Sequence, residues 1–90
     1  MPLVSDDEIR IRLSALAGWE RHGREIQKTY SFTSFALAMT FANRVAGLAE
    51  AADHHPDILV QYNKVTLTLS SHDAGGLTER DFRLAGQIDS

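Results

Sequence analysis

Ninety residues make one domain near the small end of what folds alone, and at 43% hydrophobic the chain holds apolar material for one modest core. A net charge of −3, from 9 basic and 12 acidic residues, provides no basic face for phosphate and argues against nucleic acid as a direct partner. With no cysteine, disulfides, a thiol nucleophile and thiolate metal sites are all excluded. Met1 to Asp7 has neither a positive n-region nor an apolar h-region, and no apolar run approaches the ~20 residues of a membrane span. The expectation is a single cytoplasmic domain, residues 1–90, with no membrane partner. A chain this short often gains stability by associating with copies of itself.

Val4 to Ala17 comes first. Ile9, Ile11 and Leu13 alternate like a strand, yet Ile9, Leu13 and Leu16 are spaced for a helix. Ser5-Asp6-Asp7-Glu8 decides for the helix, because it has the form of a capping box, with Val4 and Ile9 in staple positions. Gly18 ends it. Trp19 to Phe32 reads as a hairpin turning at Gly23-Arg24. Ile26, Lys28, Tyr30 and Phe32 share one face, on which Lys28 must lay down its stem and let its charge escape.

Thr33 to Asp53 is the longest element. Phe35, Ala38, Ala42, Val45 and Ala49 follow helical spacing, and Leu37, Phe41 and Leu48 widen the stripe. Thr33 is the expected N-cap, between staple residues Phe32 and Leu37; Met39 and Phe41 are expected in the core. Pro56 stops the helix by pushing His55 out of the helical region, and His54 falls near the C-cap.

Asp57 to His72 is the second hairpin, with Ile58, Val60 and Tyr62 alternating on one strand and Val65, Leu67 and Leu69 on the other. Asn63-Lys64 is the expected turn, since asparagine tolerates positive φ. The chain then breaks at Ala74-Gly75-Gly76. Thr78-Glu79-Arg80-Asp81 caps a last helix, flanked by Leu77 and Phe82 as a staple. The order αββαββα predicts an α+β two-layer sandwich: a four-stranded antiparallel sheet with three helices on one face.

With Asn63-Lys64 as a two-residue loop, Tyr62 pairs with Val65, Val60 with Leu67, Ile58 with Leu69 and His55 with His72. Opposed residues have β-carbons about 4.5–5.5 Å apart, so two distant histidines meet, with His54 adjoining. A slip of one residue would reverse the faces. Imidazole gives and takes protons near neutrality. Several around one pocket suit elimination of water, in which a base removes one proton and an acid protonates the departing hydroxyl. Glu50 and His54 at i,i+4 also fit a plain surface pair, and Asp81 a plain cap. Zinc is the sharper competitor, with His54, His55, His72 and Glu50 or Asp53 as ligand types, but adjacent histidines before a proline are not a standard zinc spacing. No metal is expected. His22 is read as turn surface, and Trp19 and Tyr62 as packing.

Glu50, three residues, His54-His55-Pro56, five residues, Tyr62, nine residues, His72, eight residues, Asp81 resembles the signature of the pterin-4a-carbinolamine dehydratases. Gly18-Trp19, Tyr62-Asn63-Lys64-Val65 and Gly76-Leu77-Thr78-Glu79-Arg80-Asp81 extend the likeness over nearly the whole chain. The resemblance implies the same antiparallel sheet with helices on one side. It implies dehydration of 4a-hydroxytetrahydropterin to quinonoid dihydropterin, which recycles the cofactor of aromatic amino acid hydroxylases; the pterin is substrate and no cofactor is needed. His54 and His72 would be the acid/base pair, with His55 polarising the 4a-hydroxyl. The pterin would contact His54, His55, Pro56, Ser71, His72, Asp73 and Ala74, its flat edge read by backbone groups past the hairpin end. Glu50, Asp53 and Asp81 would be supporting residues. The family also implies homodimers or homotetramers, for which the apolar helix Phe35 to Leu48 is suited. Some animal members act as dimerisation cofactor of a homeodomain transcription factor, so a protein-binding scaffold or coactivator is the alternative.

Overall fold

The computed structural model describes residues 2–90; Met1, the first residue of the expected domain, lies outside the described residues. Seven elements follow in the expected order: α1 (Asp6–Ser14), β1 (Glu20–His22), β2 (Glu25–Ser31), α2 (Phe35–Ala52), β3 (Asp57–Gln61), β4 (Lys64–Leu69) and α3 (Glu79–Asp89). The strands form one antiparallel sheet in the order β1-β2-β4-β3, so each hairpin contributes one central and one edge strand.

One face of the sheet is the core. Ile26, Val65, Leu67 and Leu69 are fully buried there against Ile9 of α1, Ala38, Val45 and Ala49 of α2, and Phe82, Leu84, Ala85 and Ile88 of α3. Burying each large aliphatic chain is worth about 1.5–3 kcal/mol. The opposite face is polar: Thr29 hydroxyl lies 2.8 Å from Thr66 hydroxyl, and Gln27 Nε2 donates to Thr68 Oγ1 at 3.1 Å. Among the described residues no helix is long and apolar enough to cross a membrane.

Helix α1 starts at the expected cap, with the Glu8 amide donating to Ser5 Oγ at 3.2 Å, but it stops at Ser14, short of Ala17. Gly18 sits beyond it at φ 86°, and a β-carbon there would meet the Lys28 stem at 2.9 Å. Lys28 behaves as expected: its stem runs inward and its Nζ emerges 2.9 Å from Asp89 Oδ2. The first hairpin turns at Gly23-Arg24, with Gly23 at φ 63° and His22 paired with Glu25.

Three expectations for α2 change. Its N-cap is Ser34, not Thr33, because Ser34 Oγ accepts from the Leu37 amide at 3.1 Å. The staple predicted around Thr33 therefore loses its register, and Leu37 is exposed. Phe35 and Met39 are exposed as well. The helix buries a line of mostly small residues, Ala38, Ala42, Val45 and Ala49, and the larger side chains flanking that line stay outside or half-buried. The helix ends at Asp53, before the proline takes effect. Asp53 adopts the left-handed conformation (φ 49°, ψ 42°), with its amide on Glu50 O at 3.2 Å and the His54 amide on Ala49 O at 3.1 Å. That pair of bonds is a Schellman motif, with aspartate where glycine is usual.

The second hairpin is displaced from the expected register. Gln61 pairs with Lys64, Val60 with Val65, Ile58 with Leu67 and Asp57 with Thr68, so the turn is Tyr62-Asn63. Tyr62 takes the positive φ, 53°, and its side chain is 71% exposed, so it is not packing. Asn63 is held elsewhere: its Nδ2 donates to Phe32 O at 2.9 Å, and the Phe32 amide donates to Asn63 O at 2.8 Å. Each β3 residue thus faces a β4 residue two places earlier than expected. A shift of two keeps every side chain on its face.

Candidate active site

The changed register abolishes the direct pairing of His55 with His72, since the β3–β4 ladder ends at Asp57 and Thr68. The two histidines still come together by another route. The Schellman turn at Asp53 reverses the chain and sends His54 inward and His55 outward. Beyond β4, the Ser71 amide donates to Gly76 O at 2.8 Å and closes a tight loop that carries His72 at the surface. A cavity of about 300 Å³ lies between the two segments, lined by Asp53, His54, His55, Ser70, His72, Asp73 and Arg80.

His54 is buried, and its Nε2 lies 2.6 Å from Asp81 Oδ1. Asp81 is fully buried and its other oxygen accepts from Ser71 Oγ and from the Thr78 amide, both at 2.9 Å. The Ser71 and Thr78 hydroxyls lie 2.7 Å apart. Asp81 therefore closes the capping box of α3 and orients His54 with the same carboxylate; the two readings of this residue hold together. A carboxylate accepts, so Nε2 carries the proton and Nδ1 is left with the lone pair. His55 is exposed, with Nε2 at 2.7 Å from Glu50 Oε2. Glu50 is thus paired with His55, not with His54 at i,i+4. His72 is exposed.

Three of the expected contact residues are placed differently. Ser71 is buried and its hydroxyl is committed to Asp81 and Thr78, so it supports the site from behind. Pro56 and Ala74 do not line the cavity. The amides of Ala74, Gly75 and Gly76 all turn inward onto Ser71 O, which withdraws backbone donors expected to read a ligand edge.

Arg80 and Ser70 line the cavity without having been anticipated. Arg80 donates through one nitrogen to both oxygens of Asp73, at 2.7 and 2.9 Å. Partial desolvation raises the Asp73 carboxyl, but the hydrogen bond and charge of Arg80 outweigh it and hold the group below the usual carboxylate range. No local pattern in the sequence sets Asp73 against Arg80, because only the folded loop at 71–76 brings them together. On its other side His54 borders a second cavity of about 290 Å³, with Ala51, Ala52, Arg80, Arg83, Leu84 and Gln87, where no other histidine converges. Among the described residues no three His, Asp or Glu side chains are placed to hold one metal ion.

This α+β fold recurs in known proteins. Residues 2–90 match the family model described as pterin 4 alpha carbinolamine dehydratase. A Roseiflexus castenholzii protein, provisionally named pterin-4-alpha-carbinolamine dehydratase, is 59% identical over 97% of this chain and 94% of its own. A Koribacter versatilis protein of the same provisional name is 48% identical over 96% and 92%. The crystal structure of a Brucella melitensis transcriptional coactivator/pterin dehydratase superposes with a TM-score of 0.92 at 32% identity, over 97% of this chain and 95% of that one. A pterin dehydratase-like protein identified as a RuBisCO assembly factor in the alpha-carboxysome gives 0.67 at 27% identity, over 80% and 86%. The chain belongs to the pterin-4a-carbinolamine dehydratase family, whose named activity is that of a hydro-lyase.

Proposed function

We propose that residues 1–90 act as a single domain that dehydrates 4a-hydroxytetrahydropterin to quinonoid dihydropterin, using histidines alone as acid and base. The observation that carries this reading is the convergence of His54, His55 and His72 on one cavity, in a chain of this family. In the reaction the C4a–O bond breaks as the N5 electron pair forms a C4a=N5 double bond. An acid protonates the hydroxyl, which leaves as water, and a base takes the N5 proton. His54 and His72 are the pair that exchanges these protons. Asp81 holds His54 with Nδ1 free for the work, and His55, steadied by Glu50, polarises the hydroxyl. Asp53, Asp73 and Arg80 shape the remaining wall.

The test is stopped-flow decay of chemically made 4a-hydroxytetrahydropterin. Wild type accelerates it, and His54→Ala and His72→Ala each lower kcat by about 10²–10⁴. Wild-type decay no faster than buffer rejects the reading. The exposed apolar residues Phe35, Leu37 and Met39 of α2, with Ile58 and Leu59 on edge strand β3, support a homodimer or homotetramer; sedimentation showing only monomer would remove it. The same surface, and the coactivator and assembly-factor descriptions of the two structural neighbours, support a protein-binding role as second reading. A biological phenotype that survives both histidine substitutions would favour it.

A further inference from the structure

Behind His54 a row of polar side chains runs back to the start of α3. Ser71, Thr78 and Asp81 are fully buried, and His54 is nearly so. Bulk water reaches none of the three, so every hydroxyl proton in the row must be spent on a neighbour.

That condition fixes the direction of each bond. The Asp81 carboxylate only accepts, so Ser71 Oγ, 2.9 Å from Oδ2, gives its one proton there. The 2.7 Å contact between the Ser71 and Thr78 hydroxyls must then be filled from the Thr78 side. Thr78 Oγ1 in turn accepts from the Arg80 amide, at 3.3 Å, in the first turn of α3. Donation therefore runs one way: Arg80 amide to Thr78, Thr78 to Ser71, Ser71 to Asp81. Reversing the middle bond would set a Ser71 lone pair against the carboxylate. From the opposite end His54 Nε2 donates to Asp81 Oδ1 at 2.6 Å.

The row bears on His54 through the carboxylate. Without Ser71, Oδ2 would keep one donor, the Thr78 amide at 2.9 Å, and one bond leaves the carboxylate free to swing. Ser71 adds a second bond to the same oxygen from a different segment, and Oδ1 is then held toward His54. Hydrogen bonds in a buried row also polarise one another, so the outer hydroxyl strengthens the inner one. Neither hydroxyl has a proton left for a ligand. We propose that Ser71 and Thr78 are positioning residues for the dehydration: their hydroxyls hold Asp81 so that His54 keeps its proton on Nε2 and presents a bare Nδ1. This rests on the reading of His54 as an acid/base group.

The test pairs a spectroscopic readout with kinetics on the full chain. Ser71→Ala cuts the row beside the carboxylate. Thr78→Val cuts it one hydroxyl further out, with nearly the same shape and with the amide to Asp81 kept. On the alkaline side of neutrality, the ring nitrogens of His54 in 15N-labelled wild type should give widely separated shifts, the mark of one tautomer. In Ser71→Ala the ratio of the Nε2–H to the Nδ1–H tautomer should fall by about tenfold, the scale of one hydrogen bond to a charged group. Thr78→Val should lower it less, and Thr78→Ser should keep it. In stopped flow, kcat should fall in the same order, with KM nearly constant. A row that only caps α3 would lower the urea midpoint and leave both tautomer ratio and kcat at wild-type values; that outcome in Ser71→Ala overturns the proposal, as does a wild-type His54 of mixed tautomers. If Ser71→Ala fails to fold, equal ratios in Thr78→Val and Thr78→Ser overturn it. If wild type dehydrates no carbinolamine, the acid/base reading falls and the kinetic role with it, while the tautomer ratio still decides whether the hydroxyls orient His54.

Discussion

Two histidine–carboxylate pairs, from neighbouring histidines just past α2, have nearly the same length and opposite surroundings. His54 Nε2 lies 2.6 Å from Asp81 Oδ1, with side chains 8% and 0% exposed. His55 Nε2 lies 2.7 Å from Glu50 Oε2, with side chains 57% and 77% exposed. The distance says little about what each is worth. In water the charges are screened and both partners have solvent as an alternative. Inside, no solvent takes a lost partner's place, and removing Asp81 strands His54.

The contrast breaks most visibly at Asp81. Asp81→Ala removes the acceptor of three hydrogen bonds at once: His54, Ser71 Oγ and the Thr78 amide. It should cost about 3–5 kcal/mol, the range for a broken buried pair, and be read as a fall in the urea unfolding midpoint. Turnover should fall as well, because His54 loses its fixed tautomer. A cost under about 1 kcal/mol would mean that water replaces the carboxylate, and the contrast with Glu50 would vanish.

Asp89 sharpens the comparison as a middle case. It is partly buried and accepts from Trp19 Nε1 at 2.8 Å, from Lys28 Nζ at 2.9 Å and from the Tyr30 hydroxyl. Desolvation pushes its carboxyl up, but the Tyr30, Lys28 and Trp19 hydrogen bonds outweigh that, and the net displacement is downward. A depressed carboxylate contributes stability above its unfolded value, near 4, and that stability is lost as pH falls through the folded value. Tyr30 moves the other way: burial first, then Asp89, raise its hydroxyl. Its contribution is present below the ordinary tyrosine range and is lost as pH rises through the folded value. Asp89→Asn should cost about 1.5–3 kcal/mol at neutral pH and flatten the acid limb of a stability–pH curve. An acid limb as steep as wild type's would assign that limb to other carboxylates.

The same two pairs mark where the sequence was readable. The αββαββα order, the faces of both hairpins and the α3 capping box follow from local pattern, whereas the histidines meet by a route other than the strand pairing that pattern predicts. The register of the second hairpin does not follow from it, because Asn63 is committed to Phe32 just past β2, and a contact 31 residues away has no local signature. The displacement leaves the faces intact, since a shift of two preserves the pleat's alternation, but it removes the His55–His72 opposition. The sequence pattern ends α2 at Pro56 because a left-handed C-terminal residue is usually glycine, and here Asp53 takes that role. Arg80 was invisible as a site residue, because only the folded loop at 71–76 brings Asp73 onto it.

The smallest effect belongs to Glu50. Its pair with His55 lies open to water, so Glu50→Ala should change stability by less than about 1 kcal/mol, within the range of exposed ion pairs. On kcat it should act only by letting the His55 ring turn more freely, a fall of less than about tenfold, with KM nearly constant. The effect should shrink further at high salt, which already weakens the exposed pair in wild type and leaves the buried His54–Asp81 pair almost untouched. Measured side by side, Asp81→Ala and Glu50→Ala should therefore diverge more as salt rises. A Glu50→Ala enzyme as impaired as Asp81→Ala, at any salt, would mean that the exposed carboxylate touches the substrate itself, and the division of the site into a buried and an open half would have to be redrawn.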